Sequence, residues 1–331
     1  LKKPHDLISE DDLIARFFAP IAGQGGLRLR DDAALIAIGP DEELVVTADA
    51  LAAGVHFFAD DPPDSIARKA LRVNLSDLAA KGAKPVGFLL SLALPKDWRE
   101  DWLRAFADAL GEDARNFSCP LLGGDTIRSP GELFLSITAL GAVPRGKMVH
   151  RAGARAGDRL YISGTIGDAA AGLMLRKQKE TSPALNSNHR EFLLDRYLHP
   201  QPRLGLAPIL RAYATAAMDI SDGIVGDLTK MLRVSGVSAR IELPRIPLSD
   251  AARSALAANP SLHERLLIGG DDYEILCTVP PHQSGSFEAA AKKALIDVTA
   301  IGVAEAGDDA PCFLDKDGTK KDFAQRSFSH F

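Results

Sequence analysis

Apolar positions along this chain change period several times, and each change marks an element. Leu13, Ile14, Phe17 and Phe18 fall on one helical face, and Ser9 with Asp12 ahead of them has the spacing of a capping box. Gly23 to Gly26 breaks that helix. Short apolar runs then predict strands at 34–38 and 44–47, the second ending at Ala48-Asp49. Pro62-Pro63-Asp64 opens a long helix that runs to Lys81 and is closed by Gly82. Residues 86–94 and 133–143 read as strands around an amphipathic helix at 97–116. A third run, Pro120-Leu121-Leu122, leads into Gly123-Gly124-Asp125-Thr126 as a strand end on a glycine turn.

The Arg- and Gly-rich stretch 144–157 reads as a domain boundary, giving domains 1–146 and 147–331. Beyond it come a strand at 159–163, a glycine turn through Gly164 and Gly167, and a helix at 169–176. Such a turn suits an anion, although helix packing alone also accounts for it. Residues 177–189 are polar and read as a loop, and helices follow at 190–198 and 203–213. Ala216 to Met218 then runs into Asp219-Ile220-Ser221-Asp222-Gly223. Ile224, Leu228, Met231 and Leu232 resume helical spacing, so Ser221 or Asp222 is expected to cap that helix. Gly269-Gly270-Asp271-Asp272-Tyr273-Glu274 precedes a strand to Val279, a helix from Gln283, a strand near 298–302 and a polar tail. Paired strands between helices, without strict β-α-β alternation, point to an α+β fold: an α/β N-terminal domain and an α+β C-terminal domain.

With 331 residues, 46% apolar and 25% charged, the chain is long enough for two cores. A net charge of -5 gives no support for a nucleic-acid binder, and no basic run with interleaved aromatics appears. An acidic protein that holds phosphates needs cations to do so, which points to magnesium. Cys119, Cys277 and Cys312 lack C-x-x-C spacing and suit a reducing cytoplasm as small apolar residues. Neither a signal peptide nor an apolar run long enough to span a membrane is expected.

Carboxylates carry the chemistry. Asp32, Asp49, Asp77, Asp125, Asp219, Asp222 and Asp271 mostly stand where an apolar strand ends, often beside glycine. Asn74 and Asp77 share one face of an Ala/Leu-rich helix. Each acid alone could be a turn residue. Together they would repel one another unless cations, such as several magnesium ions bridging polyphosphate oxygens, neutralise them. No G-x-x-x-x-G-K-[ST] loop, kinase signature, zinc spacing or G-x-S-x-G elbow is present.

Taken in order, Asp31-Asp32, Thr47-Ala48-Asp49, Gly54-Val55-His56-Phe57, Asn74-Leu75-Ser76-Asp77, Gly123-Gly124-Asp125-Thr126, Asp219-Ile220-Ser221-Asp222-Gly223 and Gly269-Gly270-Asp271-Asp272-Tyr273-Glu274 form a set that resembles the thiamine-monophosphate kinase family. That family belongs to the aminoimidazole ribonucleotide synthetase-like superfamily of ATP-binding proteins. The resemblance implies a homodimer built through the N-terminal domain and the reaction of ATP with thiamine monophosphate to give ADP and thiamine diphosphate. It also implies that Asp32, Thr47, Ala48, Asp49, Asp77, Asp125, Asp219 and Asp222 hold magnesium ions. Gly124, Asp125, Arg151 and Ser221 would meet ATP, and His56, Asp271 and Phe328 would contact thiamine phosphate.

A phosphate monoester, with a second pKa of about 6, is already a nucleophile near neutral pH, so no general base is required. Arg151 could stabilise charge on the transferred group, or be an exposed linker residue. His56 could equally be a half-buried histidine against Phe57, and Phe328 a tail residue packing on the core. Three positions depart from the family pattern: Arg30 replaces a glycine, Ala48 a threonine and Asp271 a glutamate. Two rival readings remain at this stage. One is a sister synthetase, against which the absence of a C-terminal or early cysteine argues. The other is a non-catalytic binder of thiamine phosphate or nucleotide.

Overall fold

The computed structural model describes residues 9–31, 33–177 and 185–323. They form two compact units, one from residues 1–78 and 84–145, the other from residues 79–83 and 146–331.

In the first unit, Ser9 caps α1 (Glu10–Leu13), its hydroxyl accepting the Asp12 N–H at 3.1 Å, and a wider π turn continues through Phe18. Then come β1 (Glu42–Ala52), α2 (Pro63–Ala80), β2 (Lys84–Leu94), α3 (Glu100–Asn116), β3 (Leu121–Arg128) and β4 (Phe134–Pro144). The sheet order is β1-β4-β2-β3, antiparallel except between β2 and β3. Alternation sorts its two faces. Val45, Leu51, Leu90, Leu92, Leu135 and Ile137 are buried with Leu71, Leu78, Phe106 and Leu110 of the helices. Leu44, Val46, Leu89, Ile127 and Phe134 stay exposed on the other face.

Two expectations change here. Residues 34–38 form no strand: the Leu35 N–H donates to the Gly25 carbonyl at 2.8 Å, and Leu35 is 72% exposed with no strand beside it. Thr47-Ala48-Asp49 and Gly123-Gly124-Asp125 lie within strands rather than at their ends, because cross-strand pairing carries both strands further than their apolar runs.

The second unit contains β5 (Arg159–Ser163), α4 (Asp168–Arg176), α5 (Ser187–Leu198), α6 (Ala207–Tyr213), β6 (Ala216–Ile220), α7 (Ile224–Ser235), β7 (Val237–Glu242), α8 (Asp250–Ala258) and α9 (Leu262–Ile268). After them come β8 (Glu274–Val279), α10 (Ser284–Lys293), β9 (Val298–Ala306), β10 (Cys312–Leu314) and β11 (Lys320–Lys321). The sheet order is β11-β10-β7-β9-β5-β8-β6. Its central strands are buried on both faces. Leu160, Ile162, Met218, Ile220 and Leu276 pack with α7, whereas Tyr161, Ala217, Ile275 and Cys277 pack with α6 and α10. That is why β5, β6 and β8 read as continuous apolar runs. Residues 237–268, given no element by the sequence pattern, form β7, α8 and α9. The fold is α+β, as the sequence implied.

Candidate active site

In the first unit the acids divide between the two faces of the sheet. Thr47 and Asp49, two apart on β1, point the same way, and the Thr47 hydroxyl donates to the Asp77 carboxylate on α2. Burial first, and the neighbouring Asp77 second, push the Asp49 carboxyl up to about 6. One helical turn before Asp77, the Asn74 amide donates to the Ala70 carbonyl at 3.1 Å, and its buried Oδ1 has no hydrogen-bond partner. Ala48 faces the exposed side, so a threonine hydroxyl there would point away from Asp49.

Asp125 belongs to that exposed side too. It stands level with Ser91, Ser136 and Ala50, whereas Asp49 stands level with Ile137, Leu90 and Gly124. Asp49 and Gly124 are therefore three strand spacings apart, about 14 Å along the sheet. Asp125 lines a cavity of about 630 Å³ together with Phe18, Asp31, Ser91, Gly124 and Thr138. That size suits a small-molecule ligand. Gly124 is required by packing: a Cβ there would lie 1.8 Å from the Leu90 carbonyl oxygen. His56 follows β1 in a turn, where its Nδ1 accepts the Ala52 N–H at 3.1 Å, leaving Nε2 to carry the proton of the neutral ring.

In the second unit Asp219 is buried on β6, and the chain turns at Ser221-Asp222 into α7. Neither Ser221 nor Asp222 caps that helix. Gly223 holds the cap position without a side-chain bond, and Asp227 instead ties down the turn ahead of the helix, its Oδ2 accepting the N–H groups of Ser221 at 3.0 Å and Asp222 at 2.8 Å. Lys230 reaches back from the next turn, with Nζ 2.5 Å from Asp222 Oδ2 and 2.9 Å from Asp227 Oδ1. Burial raises the Asp227 carboxyl above the usual range, and Lys230 opposes that rise.

The segment 269–274 docks on this turn. Asp271 N–H donates to the Ser221 carbonyl at 2.9 Å and Tyr273 N–H to the Ile220 carbonyl at 2.8 Å. A Cβ on Gly270 would sit 2.2 Å from the Ser221 carbonyl oxygen, so only glycine permits this approach. Asp271 adopts φ 72°, a left-handed conformation that aspartate tolerates better than most residues. Its acidic neighbours point into the core. Asp272 accepts the N–H groups of Gly167 at 2.7 Å and Ala169 at 3.2 Å, and burial raises its pKa well above the usual range. The anion place at the start of α4 is thus filled by the protein's own carboxylate. Glu274, fully buried, accepts from Ser163 Oγ at 2.6 Å, Arg196 Nη2 at 2.9 Å and Arg203 Nε at 2.6 Å. Arg151 is exposed, and the preceding His150 carbonyl accepts the Ala217 N–H at 3.0 Å, which lays its backbone along β6.

Asp32 and Phe328 lie outside the described residues. Among the described residues, no group of three or more His, Cys, Asp or Glu side chains forms a ready-made metal centre. The donors present nonetheless fit magnesium, which is commonly held by one or two carboxylates with water and substrate phosphate. Asp49 and Asp77 crowd one another in the manner of carboxylates awaiting a cation, and Lys230 puts a positive charge on Asp222.

The two units match two family patterns in series. Residues 30–143 match AIR synthase related protein, N-terminal domain, and residues 155–313 match AIR synthase related protein, C-terminal domain. This defines the two-domain AIR synthase-like class. Within it, the thiamine-monophosphate kinase of Caulobacter vibrioides is 42% identical over 299 residues, covering 89% of this chain and 83% of its own. That of Escherichia coli K12 is 38% identical over 326 residues, 97% of this chain and 98% of its own. The chain belongs to the thiamine-monophosphate kinase family. The crystal structure of the Stenotrophomonas maltophilia thiamine-monophosphate kinase superposes with a TM-score of 0.80 at 40% identity, covering 88% of this chain and 91% of that one. AaThiL complexed with AMPPCP and TMP gives 0.75 at 31%, covering 98% and 97%. Escherichia coli HypE, a hydrogenase maturation protein, shares the fold at 21% identity and a TM-score of 0.77.

Proposed function

We propose that this chain transfers the terminal phosphoryl group of ATP to the phosphate of thiamine monophosphate, giving ADP and thiamine diphosphate for thiamine diphosphate biosynthesis. The observation that carries this reading is the pairing of Asp49 with Asp77 under Thr47, two close carboxylates of which Asp49 is pushed up to about 6. Such a pair suits hard divalent cations bridging two polyanions.

Thr47, Asp49, Asp77, Asp125, Asp219 and Asp222, with the main chain at Ala48, would hold magnesium ions; Asp32 joins them on its motif alone. When bound, these ions supply the positive charge that lets the acceptor phosphate approach the triphosphate. Gly124, Asp125, Arg151 and Ser221 meet ATP, with Arg151 facing the charge on the transferred group. His56 offers its Nε2–H, and Asp271 its carboxylate, to thiamine phosphate, with Phe328 against the ring system. No residue acts as general base, because the acceptor oxygen is already ionised near neutral pH.

Residues 1–146 form the ATP- and metal-binding and dimerisation domain, and residues 147–331 supply further ATP and substrate contacts. The exposed apolar face of the first sheet, with Val46 and Ile127 each 56% exposed, supports a homodimer. Among the described residues no helix is long and apolar enough to cross a membrane. The free cysteines fit the cytoplasm.

The test is coupled ADP release with thiamine monophosphate, free thiamine and an aminoimidazole precursor, each with and without magnesium. Only thiamine monophosphate with magnesium should turn over well. Equal rates with free thiamine would defeat the mechanism without a base, and turnover of the aminoimidazole alone would defeat the substrate assignment.

A further inference from the structure

The Asp222 carboxylate already carries a cation of the protein's own. We propose that Lys230 is a displaceable counter-ion for Asp222, so that a divalent ion takes up this position together with the nucleotide and not before it. This rests on the reading that Asp222 holds a metal.

Lys230 Nζ lies 2.5 Å from Asp222 Oδ2 and 2.9 Å from Asp227 Oδ1. An ion on either oxygen of Asp222 would therefore stand against an ammonium group, and the two charges exclude each other unless the ammonium moves. It can swing toward solvent at the cost of its bond to the buried Asp227, which keeps two N–H partners. The lysine side chain is 34% exposed, on a flexible four-carbon stem, and the Asp222 side chain is 37% exposed. Asp227, by contrast, is fully buried and pinned by the N–H groups of Ser221 and Asp222, so it stays in place when Lys230 swings.

Stability does not call for the contact between Lys230 and Asp222. A half-exposed pair contributes little to folding, and the turn is already held by Asp227. What the contact does is occupy Asp222 in the ligand-free protein. A polyphosphate changes the balance, because it brings anionic oxygens that accept the displaced ammonium while the metal takes the carboxylate. Metal and nucleotide then bind with positive coupling, each favouring the other by the same factor.

The experiment is calorimetric titration of magnesium into the full chain, alone and with AMPPCP, for wild type, Lys230→Gln, Lys230→Arg, Asp222→Asn and the Lys230→Gln/Asp222→Asn double variant. Lys230→Gln should bind magnesium about tenfold more tightly without nucleotide, with the coupling to AMPPCP reduced by a similar factor, while Lys230→Arg stays near wild type. The gain should vanish in the double variant, which assigns it to Asp222 and to no other ion site. Unchanged magnesium affinity in Lys230→Gln, with Asp222→Asn weakened, would overturn the lysine's role alone. No effect of Asp222→Asn under any condition would remove the metal position itself. A cooperative melt of each variant shows that the fold is kept.

Discussion

Asp49 is the residue at which function and stability pull in opposite directions. Its carboxyl, ordinarily near 3.8, is pushed up to about 6 by burial and by Asp77. Between those two values the folded protein keeps a proton that the unfolded chain has released, so the native state loses stability as pH rises through this window. The loss, about 3 kcal/mol at most, is complete above pH 6 in metal-free protein. Asp49→Asn should therefore abolish turnover and yet melt several degrees above wild type at pH 7.5 without magnesium, the difference disappearing near pH 4. Magnesium should close the gap by stabilising wild type alone. A variant that melts below wild type at pH 7.5 would mean that Asp49 is already compensated by groups of the protein.

Among the elements, the segment 269–274 separates two kinds of acid. Asp271 sits on the Ser221 turn, whereas Glu274 is clamped between Arg196 and Arg203. Removing one partner of a buried ion pair costs roughly 3–5 kcal/mol, because the other charges stay buried and uncompensated. Glu274→Ala should lose stability on that scale, while Asp271→Asn should melt like wild type and raise the KM for thiamine monophosphate. Denaturant midpoints and initial rates for both variants check this, and a stable Glu274→Ala protein would refute the division.

The sequence could not show that division. Its acid-glycine pattern located every turn that matters around Asp219, Ser221 and Asp271, since those backbones need glycine at Gly223 and Gly270. Which acid faces inward depends on arginines some 70–80 residues away in the chain, and no local spacing records that distance. Asp222 looked like a cap because it precedes the helical period, but Gly223 holds the cap position, and the N–H groups of Ser221 and Asp222 themselves are taken by Asp227 from inside the helix. The apolar run at 34–38 suggested a strand, yet an apolar run cannot supply the neighbour that makes it part of a sheet.

At the scale of the molecule, the open face of the first sheet asks for a partner. Leu44, Val46, Leu89, Ile127 and Phe134, each 37–56% exposed, lie on four adjacent strands as one apolar patch, the kind of surface that marks an interaction site. Light scattering should give twice the chain mass. Val46→Asp with Ile127→Asp should give monomers whose far-ultraviolet dichroism is unchanged, and a wild-type chain that runs as a monomer at micromolar concentration would end the dimer proposal.

The order in which the ribosome delivers these elements gives that face a history. All four strands β1 to β4 and their helices have been synthesised by residue 145, with the 186 residues from 146 to 331 still to be added. At about 5–20 residues per second, the half-made chain shows its sticky surface for about 10 to 40 s before release. Neighbouring ribosomes on one message carry the same surface at the same moment, so assembly can begin between nascent chains, before either copy has made Asp219 or Asp222.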